Sequence, residues 1–454
     1  MAPIIRFAGH ASFVIEGPTA ALLSDPWFEG TAFNDGWDLL VPADLPPADR
    51  SRITDIYISH EHPDHFSPAT LGQFTGEGAP KVRIQSTRDG RVARFCRGRG
   101  FDVTEMPNHR WLTLRPGFDV LCGQHRHMDS WLLANVEGTT ILNLNDCSIT
   151  DRAQAFRVRS MTGPVDVLFT QFTYANWVGN PEDGRRRREY ARELLGYVRT
   201  QIQVLQPRYV APFASFIRFC HEENAYLNDE VPALRDVVDF IADQTDATPI
   251  ALYPGDVWRP GDDHDNEPAL ARYEASACAQ PPLRESPSRS IDELVELAQR
   301  QRDQLRARNR MGATRVLEAS RFLPSVRVRL FDIDRTVEVR CGRELRLTDG
   351  PPHVEMSSDS LAFAYSNNFG AETLYVNGRY RVRAGPEKLF FRHFYPAILN
   401  NQGYPFPLGA GEFLFREKLA WRARAGRAAL ESRAGRPSDP KHSASQPELA
   451  HGQR

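Results

Sequence analysis

The residues of this chain best suited to chemistry lie in one short segment, residues 59–65, which reads Ser-His-Glu-His-Pro-Asp-His. Its potential metal ligands are His60, His62, Asp64 and His65. Imidazole and carboxylate are the groups that zinc and iron prefer. Histidines at i and i+2 can reach one metal, and the following Asp-His pair can reach a second about 3.5–4 Å away. A chance surface loop is the alternative, but only 13 of 454 residues are histidine, so the clustering indicates a metal site.

A site for two metals needs more ligands than this segment offers, and four further residues are candidates. His125 and His127 lie on a predicted loop between two strands, and Asp146 follows an apolar strand. His221 comes shortly after another apolar stretch, residues 209–213. Each of these alone is more often an ordinary polar residue. Beside the first segment, however, a histidine and an aspartate at strand ends are the expected partners.

Short apolar stretches separated by turn signals predict the elements that must position these ligands. Residues 53–58, apolar and rich in β-branched side chains, predict a buried strand that leads directly into the first segment. Two short helices are predicted at residues 68–74 and 89–99, and a long one at residues 184–206, which Pro207 ends. Strands mixed with crossing helices indicate a layered α/β fold. The other predicted strands are residues 4–7, 12–16, 20–24, 82–85, 103–106, 119–123, 130–136, 140–144, 166–171 and 208–211.

Composition changes along the chain predict four parts. Residues 1–260 form the metal domain, and residues 261–289, rich in Asp, Glu, Pro and Ser, are predicted to be a linker. Residues 290–425 are predicted to form a smaller α+β domain that begins with an amphipathic helix at 290–310. Strands are expected at 326–339, with a hairpin turn at Gly342, and at 345–347, 354–356, 360–365 and 374–376. Residues 426–454 contain almost no large apolar side chain and are predicted to be disordered.

Charge and cysteine usage limit the possible partners and compartment. A formal net charge of −2 gives no basic field for nucleic acid or an anionic membrane. No run of 18 apolar residues predicts a membrane span, and the first residues do not resemble a signal peptide. The six cysteines are dispersed without a Cys-x-x-Cys pair. Reduced thiols of this kind are typical of a cytoplasmic protein, which is the predicted location.

Several segments around the metal motif resemble one family of enzymes. They are residues 24–37 (SDPWFEGTAFNDGW), 56–60 (IYISH), 125–130 (HRHMDS), 138–147 (GTTILNLNDC), 205–208 (LQPR) and 211–216 (APFASF). The order of strand, His-x-His-x-Asp-His, histidine and strand-ending aspartate resembles metallo-β-lactamase-fold proteins. The segments themselves resemble the catalytic domain of CMP-N-acetylneuraminate hydroxylases over residues 10–260.

The resemblance implies an αββα sandwich with a dinuclear site at one edge of its two sheets. It assigns His60, His62 and His125 to one metal, and Asp64, His65 and His221 to the other, with Asp146 as the bridge. Most of the superfamily has a histidine directly after the last strand, at about Phe213 or Ala214 here, and this chain has none there. It also lacks the paired Cys and His residues of the Rieske domain that those hydroxylases carry.

Two chemistries fit one such site, and the ligand types do not separate them. Two irons with electrons from outside would give an oxygenase, which is slightly favoured, acting on a polar small molecule with a ferredoxin or Rieske-type donor. Two zincs would give a hydrolase of an ester, lactone, amide or phosphodiester, and a degenerate, non-catalytic binding protein is a third possibility. Asp64 and His127 are the predicted catalytic residues. Asp25, after a predicted strand, is expected to accept the free N–H of a ligating histidine.

Overall fold

The structure is a computed structural model, and it describes residues 2–125, 128–310, 325–341 and 343–407. Its strands are β1 (Ile4–Gly9), β2 (Ser12–Glu16), β3 (Ala21–Ser24), β4 (Trp37–Leu39), β5 (Asp55–Ile58), β6 (Lys81–Gln85), β7 (Val103–Met106), β8 (Trp111–Arg115), β9 (Phe118–His125), β10 (Asp129–Val136), β11 (Thr139–Asn143), β12 (Val167–Gln171), β13 (Tyr209–Phe213), β14 (Ile217–Phe219), β15 (Thr248–Pro249), β16 (Val257–Trp258), β17 (Val326–Leu330), β18 (Arg335–Val339), β19 (Arg346–Leu347), β20 (Val354–Met356) and β21 (Arg381–Val382).

The α-helices of the described residues alternate with these strands. They are α1 (Pro47–Arg50), α2 (Pro68–Gly72), α3 (Arg91–Gly98), α4 (Arg152–Thr162), α5 (Gly184–Leu205), α6 (Leu234–Gln244), α7 (Glu267–Cys278), α8 (Ile291–Arg308), α9 (Ser358–Ser366), α10 (Gly370–Asn377), α11 (Leu389–His393) and α12 (Tyr395–Asn401). In the described ranges, no helix is both long and apolar enough to cross a lipid bilayer.

Two seven-stranded mixed sheets form the N-terminal part of the fold. The first has the order β16-β1-β2-β3-β5-β6-β7 and the second β15-β13-β12-β11-β10-β9-β8. Side chains from both sheets meet in one apolar core, where the rings of Phe13 and Phe169 stack with centroids 4.1 Å apart. Helix α5 contributes Val198 and Ile202 to that core, and helix α3 covers the other face of the first sheet with Val92. The predicted αββα sandwich is confirmed.

The connections between strands explain why ligands collect at one edge. In the first sheet β5 is parallel to β3, so the carboxyl ends of these two strands lie at the same edge. In the second sheet β11 is parallel to β12, and their carboxyl ends likewise lie at one edge. The segments leaving β3, β5 and β11 carry Asp25, the His60–His65 segment and Asp146, respectively. In open α/β sheets the carboxyl ends of strands are the usual place for a binding site.

A five-stranded sheet with order β19-β18-β17-β20-β21 forms the C-terminal region together with α8 to α12. Two strand predictions here are wrong, because residues 360–365 lie in α9 and residues 374–376 lie in α10. Ser357 caps α9 by accepting a hydrogen bond from the Ser360 backbone N–H. A serine cap followed by an acidic residue in the first turn favours a helix. The hairpin joining β17 to β18 turns at residues 331–334, whereas Gly342 lies outside the described residues.

The segment predicted as a linker, residues 261–289, contains helix α7. Its Leu270 and Tyr273 are buried in the core that the two large sheets share. The ring of Tyr273 stacks on Phe216 at 4.4 Å. This segment is therefore not an extended polar connection, although the domain boundaries themselves stay a prediction. The predicted disordered tail, residues 426–454, lies outside the described residues.

Candidate metal centre

The His60–His65 segment leaves β5 and brings its four potential ligands into two neighbouring clusters. His60 and His62 group with Asp146, and Asp64 and His65 group with a further histidine, His10. Within each cluster the potential ligand atoms all lie within 4.8 Å of one another. The rings of His60 and His65 are 4.3 Å apart, so the two clusters adjoin.

Asp146 lies between the clusters. One carboxylate oxygen, Oδ1, is 3.3 Å from His65 Nε2, and the other, Oδ2, is 3.9 Å from His60 Nε2. Asn145, with a positive φ of 46°, makes the turn after β11 that leads into this aspartate. A carboxylate with one oxygen toward each cluster has the arrangement of a ligand that bridges two metals.

His10 completes the second cluster, and the sequence analysis missed it. It lies in the tight turn between β1 and β2, with a positive φ of 37°, and it is almost fully buried. Its Nε2 is 3.3 Å from Asp64 Oδ2. The signal available in the sequence was a histidine between two predicted strands, the same pattern that selected His125.

Asp25 fixes the orientation of His65 as the sequence predicted. Its Oδ2 accepts from His65 Nδ1 at 3.0 Å, and its Oδ1 accepts from the Ser59 backbone N–H at 2.7 Å. Asp25 is fully buried, and its backbone also has a positive φ, 42°. Holding Nδ1 in this way turns His65 Nε2 toward Asp64 and Asp146. Such carboxylate–histidine pairs set the tautomer of a metal ligand.

Burial and close charges shift the pKa values in this centre in opposite directions. Burial lowers the pKa of His60 and of His62, and the neighbouring His65 adds to the effect on both. Neutral imidazole is the form that binds a metal. Burial alone would lower the pKa of His65, but the carboxylates of Asp146, Asp64 and Asp25 raise it well above its usual range.

The donor set fits divalent cations. Three carboxylates, those of Asp25, Asp64 and Asp146, lie within 3.3 Å of the His65 ring nitrogens in a buried place, so a bound cation would be favoured there. Four of its buried polar atoms have no hydrogen-bond partner: His10 Nδ1, Asp64 Oδ1, His65 Nε2 and Asp146 Oδ1. Unsatisfied buried groups are costly unless something binds them, and a metal cation would satisfy the carboxylate oxygens and His65 Nε2.

Two of the predicted metal ligands, His125 and His221, lie outside the two clusters. His125 is half-buried at the end of β9, opposite Asp129 in the ladder. His127 lies outside the described residues. His221 is held elsewhere, with Nε2 at 3.2 Å from Ser286 Oγ and Nδ1 at 3.5 Å from Glu223 Oε1. In the part of the chain that the structure describes, neither His125 nor His221 joins a metal-type group of three.

A comparison with protein families agrees with this arrangement. Residues 4–190 match the family described as "Beta-lactamase superfamily domain". Together with the two mixed sheets and the His-x-His-x-Asp-His segment at their edge, this match decides the family. Residues 4–190 are a metallo-β-lactamase superfamily domain. The C-terminal sheet and its helices are an additional region of the chain.

Half of the chain is also distantly similar to curated sequences. The cytidine monophosphate-N-acetylneuraminic acid hydroxylase of Danio rerio is 26% identical over 248 residues, which are 50% of this chain and 40% of that protein. The Mus musculus hydroxylase is 27% identical over 246 residues, 50% of this chain and 41% of that one. The human protein, described as inactive, is 28% identical over 248 residues, 50% and 47%. This chain thus spans less than half the length of these relatives.

Solved structures match about half of the chain at low identity. CmlA, a diiron beta-hydroxylase from Streptomyces venezuelae, matches with a TM-score of 0.40 and 16% identity, over 57% of this chain and 54% of that one. Igni18, a metallo hydrolase from Ignicoccus hospitalis, matches with a TM-score of 0.39 and 12% identity, over 57% of this chain and 98% of that one.

Proposed function

We propose that this chain is a dinuclear metalloenzyme, and that it is an oxygenase which hydroxylates a small molecule with electrons from a separate protein. The observation that carries the dinuclear proposal is Asp146, whose two carboxylate oxygens face a histidine of each cluster. This arrangement supports two metals side by side better than one metal alone. Two irons are favoured over two zincs because half of the chain is similar to hydroxylases.

We assign His60, His62 and Asp146 to the first metal and His10, Asp64, His65 and Asp146 to the second. His125, at the end of β9, remains the candidate for a further ligand of the first metal, as the resemblance implies. For the second metal we propose His10 in the place predicted for His221. Its backbone carbonyl accepts a hydrogen bond from the Ala214 N–H at 2.9 Å, so His10 lies beside the position where the superfamily commonly has its last histidine.

The protein's own groups supply positioning and a buried environment. Asp25 lies 3.0 Å from His65 Nδ1, and Ser59 Oγ lies 2.9 Å from His60 Nδ1. In both histidines the Nδ1 atom therefore contacts a polar group, which leaves Nε2 for the metal. Trp27 closes off His10 with ring centroids 5.6 Å apart. When bound, the metals would either activate O₂ with external electrons or lower the pKa of a water for hydrolysis.

The similarity to hydroxylases over half the chain supports the oxygenase. As the electron donor we propose a separate ferredoxin or Rieske-type protein. The hydrolase is the second candidate, because the same imidazoles and carboxylates bind zinc equally well. Asp64 is retained as a metal ligand that could also take part in catalysis, and His127 stays a sequence-based prediction of an acid–base or substrate-binding group.

Two measurements test the function. Elemental analysis of the protein purified aerobically is expected to give close to two irons per chain, whereas two zincs would favour the hydrolase. Isotope origin then separates the chemistries: the oxygenase product gains one oxygen atom from ¹⁸O₂ and requires a donor protein with its reductase. Turnover without O₂, with label arriving from H₂¹⁸O alone, would overturn the oxygenase.

A further inference from the structure

A cavity of about 630 Å³ opens beside the first metal cluster, because His62 is part of its wall. One side is formed by the metallo-β-lactamase domain, with the segment around Phe33 and helix α3. The other side is formed by the C-terminal region, with residues of α9, α10 and the end of α12. The volume is in the range of small-molecule sites. The two regions therefore build one chamber at the metals.

The walls of this chamber are mainly apolar and aromatic. Five phenylalanines line it: Phe33, Phe66, Phe95, Phe363 and Phe369. The ring of Phe33 lies 5.6 Å from that of His62, close to the predicted metal. Phe369 is 46% exposed, and its ring lies 6.2 Å from that of Phe363. Together these rings give the chamber an apolar surface that a ligand could cover.

The charged groups of the chamber do not favour an anion. Arg91 is the one Arg or Lys among the described lining residues. Its Nε lies 2.6 Å from Asp89 and 3.3 Å from Glu61, and its Nη1 donates to Asn401 Oδ1 at 2.7 Å. The guanidinium is thus already neutralised and hydrogen-bonded. Glu61 and Glu372 add acidic groups, and burial raises the pKa of Glu372 to about 7.

We propose that this chamber selects a neutral substrate with a bulky apolar group, of the size of one or two aromatic rings, and that α9 and α10 of the C-terminal region supply half of the specificity. This inference rests on the proposed function, because it takes the metals beside His62 as the reaction centre. The sequence predicted a polar small molecule. In this inference the polar group of the substrate lies toward the metals, and its apolar group lies against the phenylalanine wall.

Equilibrium dialysis of the metal-loaded chain tests this with two probes that share one ring system. Uncharged 2-naphthalenemethanol is expected to bind at least about tenfold more tightly than naphthalene-2-sulfonate. The carboxylates of the centre offset the charge of the metals and Arg91 is already paired, so a buried sulfonate would find no free cation. Phe369→Ala should weaken binding of the alcohol by about 3–10-fold, the range of an aromatic contact.

Phe331 provides the matched control, since it is also a phenylalanine of the C-terminal region, is 47% exposed and does not line the chamber. Phe331→Ala should leave binding unchanged. Equal loss in both variants, no loss in either, or tighter binding of the sulfonate would overturn the inference. Metal content measured on the same samples keeps the two proposals apart. Absence of metal with intact probe binding would contradict the dinuclear enzyme, whereas two metals with no probe selectivity would contradict only the chamber.

Discussion

The metal centre and a second buried cluster, built around Arg379, use similar residue types for different ends. Both contain a histidine and carboxylates that are almost fully buried. In the Arg379 cluster the guanidinium bonds Glu223 Oε1 at 2.8 Å and approaches Asp359 Oδ2 at 3.3 Å, while His221 lies beside Glu223. Arg289 also lies 3.1 Å from Asp359, so two permanent cations balance the two acids there. The metal centre has three carboxylates and no Arg or Lys among its described contacts, so a bound metal cation would supply the balance.

The Arg379 cluster also joins the two regions of the chain. Arg379 Nη1 donates to the Asn34 carbonyl at 2.7 Å, and Asn377 Nδ2 donates to the Phe33 carbonyl at 2.9 Å. Phe33, Asn34 and Asp35 all have positive φ, between 54° and 55°. Three consecutive non-glycine residues in this conformation are strained. The C-terminal region therefore holds the strained segment that places Phe33 against His62.

The comparison predicts its largest effect for metal removal. Chelation should lower the free energy of unfolding by about 5 kcal/mol, if each of two metals is present at about 100 times its dissociation constant. Urea denaturation with and without chelator measures this. Asp146→Asn is the control, because a chain already impaired in metal binding should respond less. An unchanged midpoint for the wild type would indicate that the acids of the centre are balanced without metal.

A comparable loss is expected when the cation of the second cluster is removed. Arg379→Met should lower the free energy of unfolding by about 3 kcal/mol, because Glu223 loses the guanidinium that it pairs with. Asp359 keeps its second cation, Arg289, at 3.1 Å. Metal content should stay near that of the wild type. Arg185→Met is the matched control: Arg185 is 87% exposed, and its replacement should leave the unfolding midpoint unchanged. A loss below about 1 kcal/mol in Arg379→Met would show that the cluster is not electrostatically required.

Replacing one histidine of each cluster by alanine tests which histidine is a metal ligand. His10→Ala should weaken binding of the second metal by at least about 100-fold. This is more than is usual for replacing a residue that only hydrogen-bonds a ligand. His221→Ala should leave two metals per chain, because His221 contacts Ser286 and Glu223 instead. Elemental analysis after dialysis against a metal buffer measures both. Metal loss in His221→Ala with full metal in His10→Ala would restore the assignment implied by the resemblance.

The smallest effect on metal affinity is expected for Asp25, which orients a predicted ligand without being one. Asp25→Asn should weaken metal binding by about 10–100-fold, since the amide keeps the shape but no longer supplies a charged acceptor for His65 Nδ1. Folding should survive, and circular dichroism at room temperature checks this. Asp25→Glu, which retains the charge, is expected to recover part of the affinity if its longer side chain can be accommodated. Wild-type affinity in Asp25→Asn would remove the positioning role.

The sequence by itself determined the parts of the molecule whose information is local. The predicted ligands from His60 to His65 lie within six residues, so the sequence alone indicates that they act together. The alternating apolar stretches around them predicted most strands of the two large sheets, because the burial of a strand depends on the pattern of its own side chains. The edge strands β8, β15 and β16 were not predicted. Asp25 was found by the same reasoning, as a polar residue directly after a predicted strand, and its bond to His65 confirmed it.

Only the tertiary structure decided which distant residues meet. His10 and Asp64 are separated by 54 positions, and Arg379 and Glu223 by 156. The hydrophobic pattern of a sequence does not predict contacts over such separations, because they depend on how the two sheets and the C-terminal region pack together. His221 lay near the expected end of a strand but belongs to the Arg379 cluster, and residues 360–365 formed a helix because the Ser357 cap prevailed over a strand-like pattern. The chamber at the metals likewise exists only because two regions far apart in sequence share it.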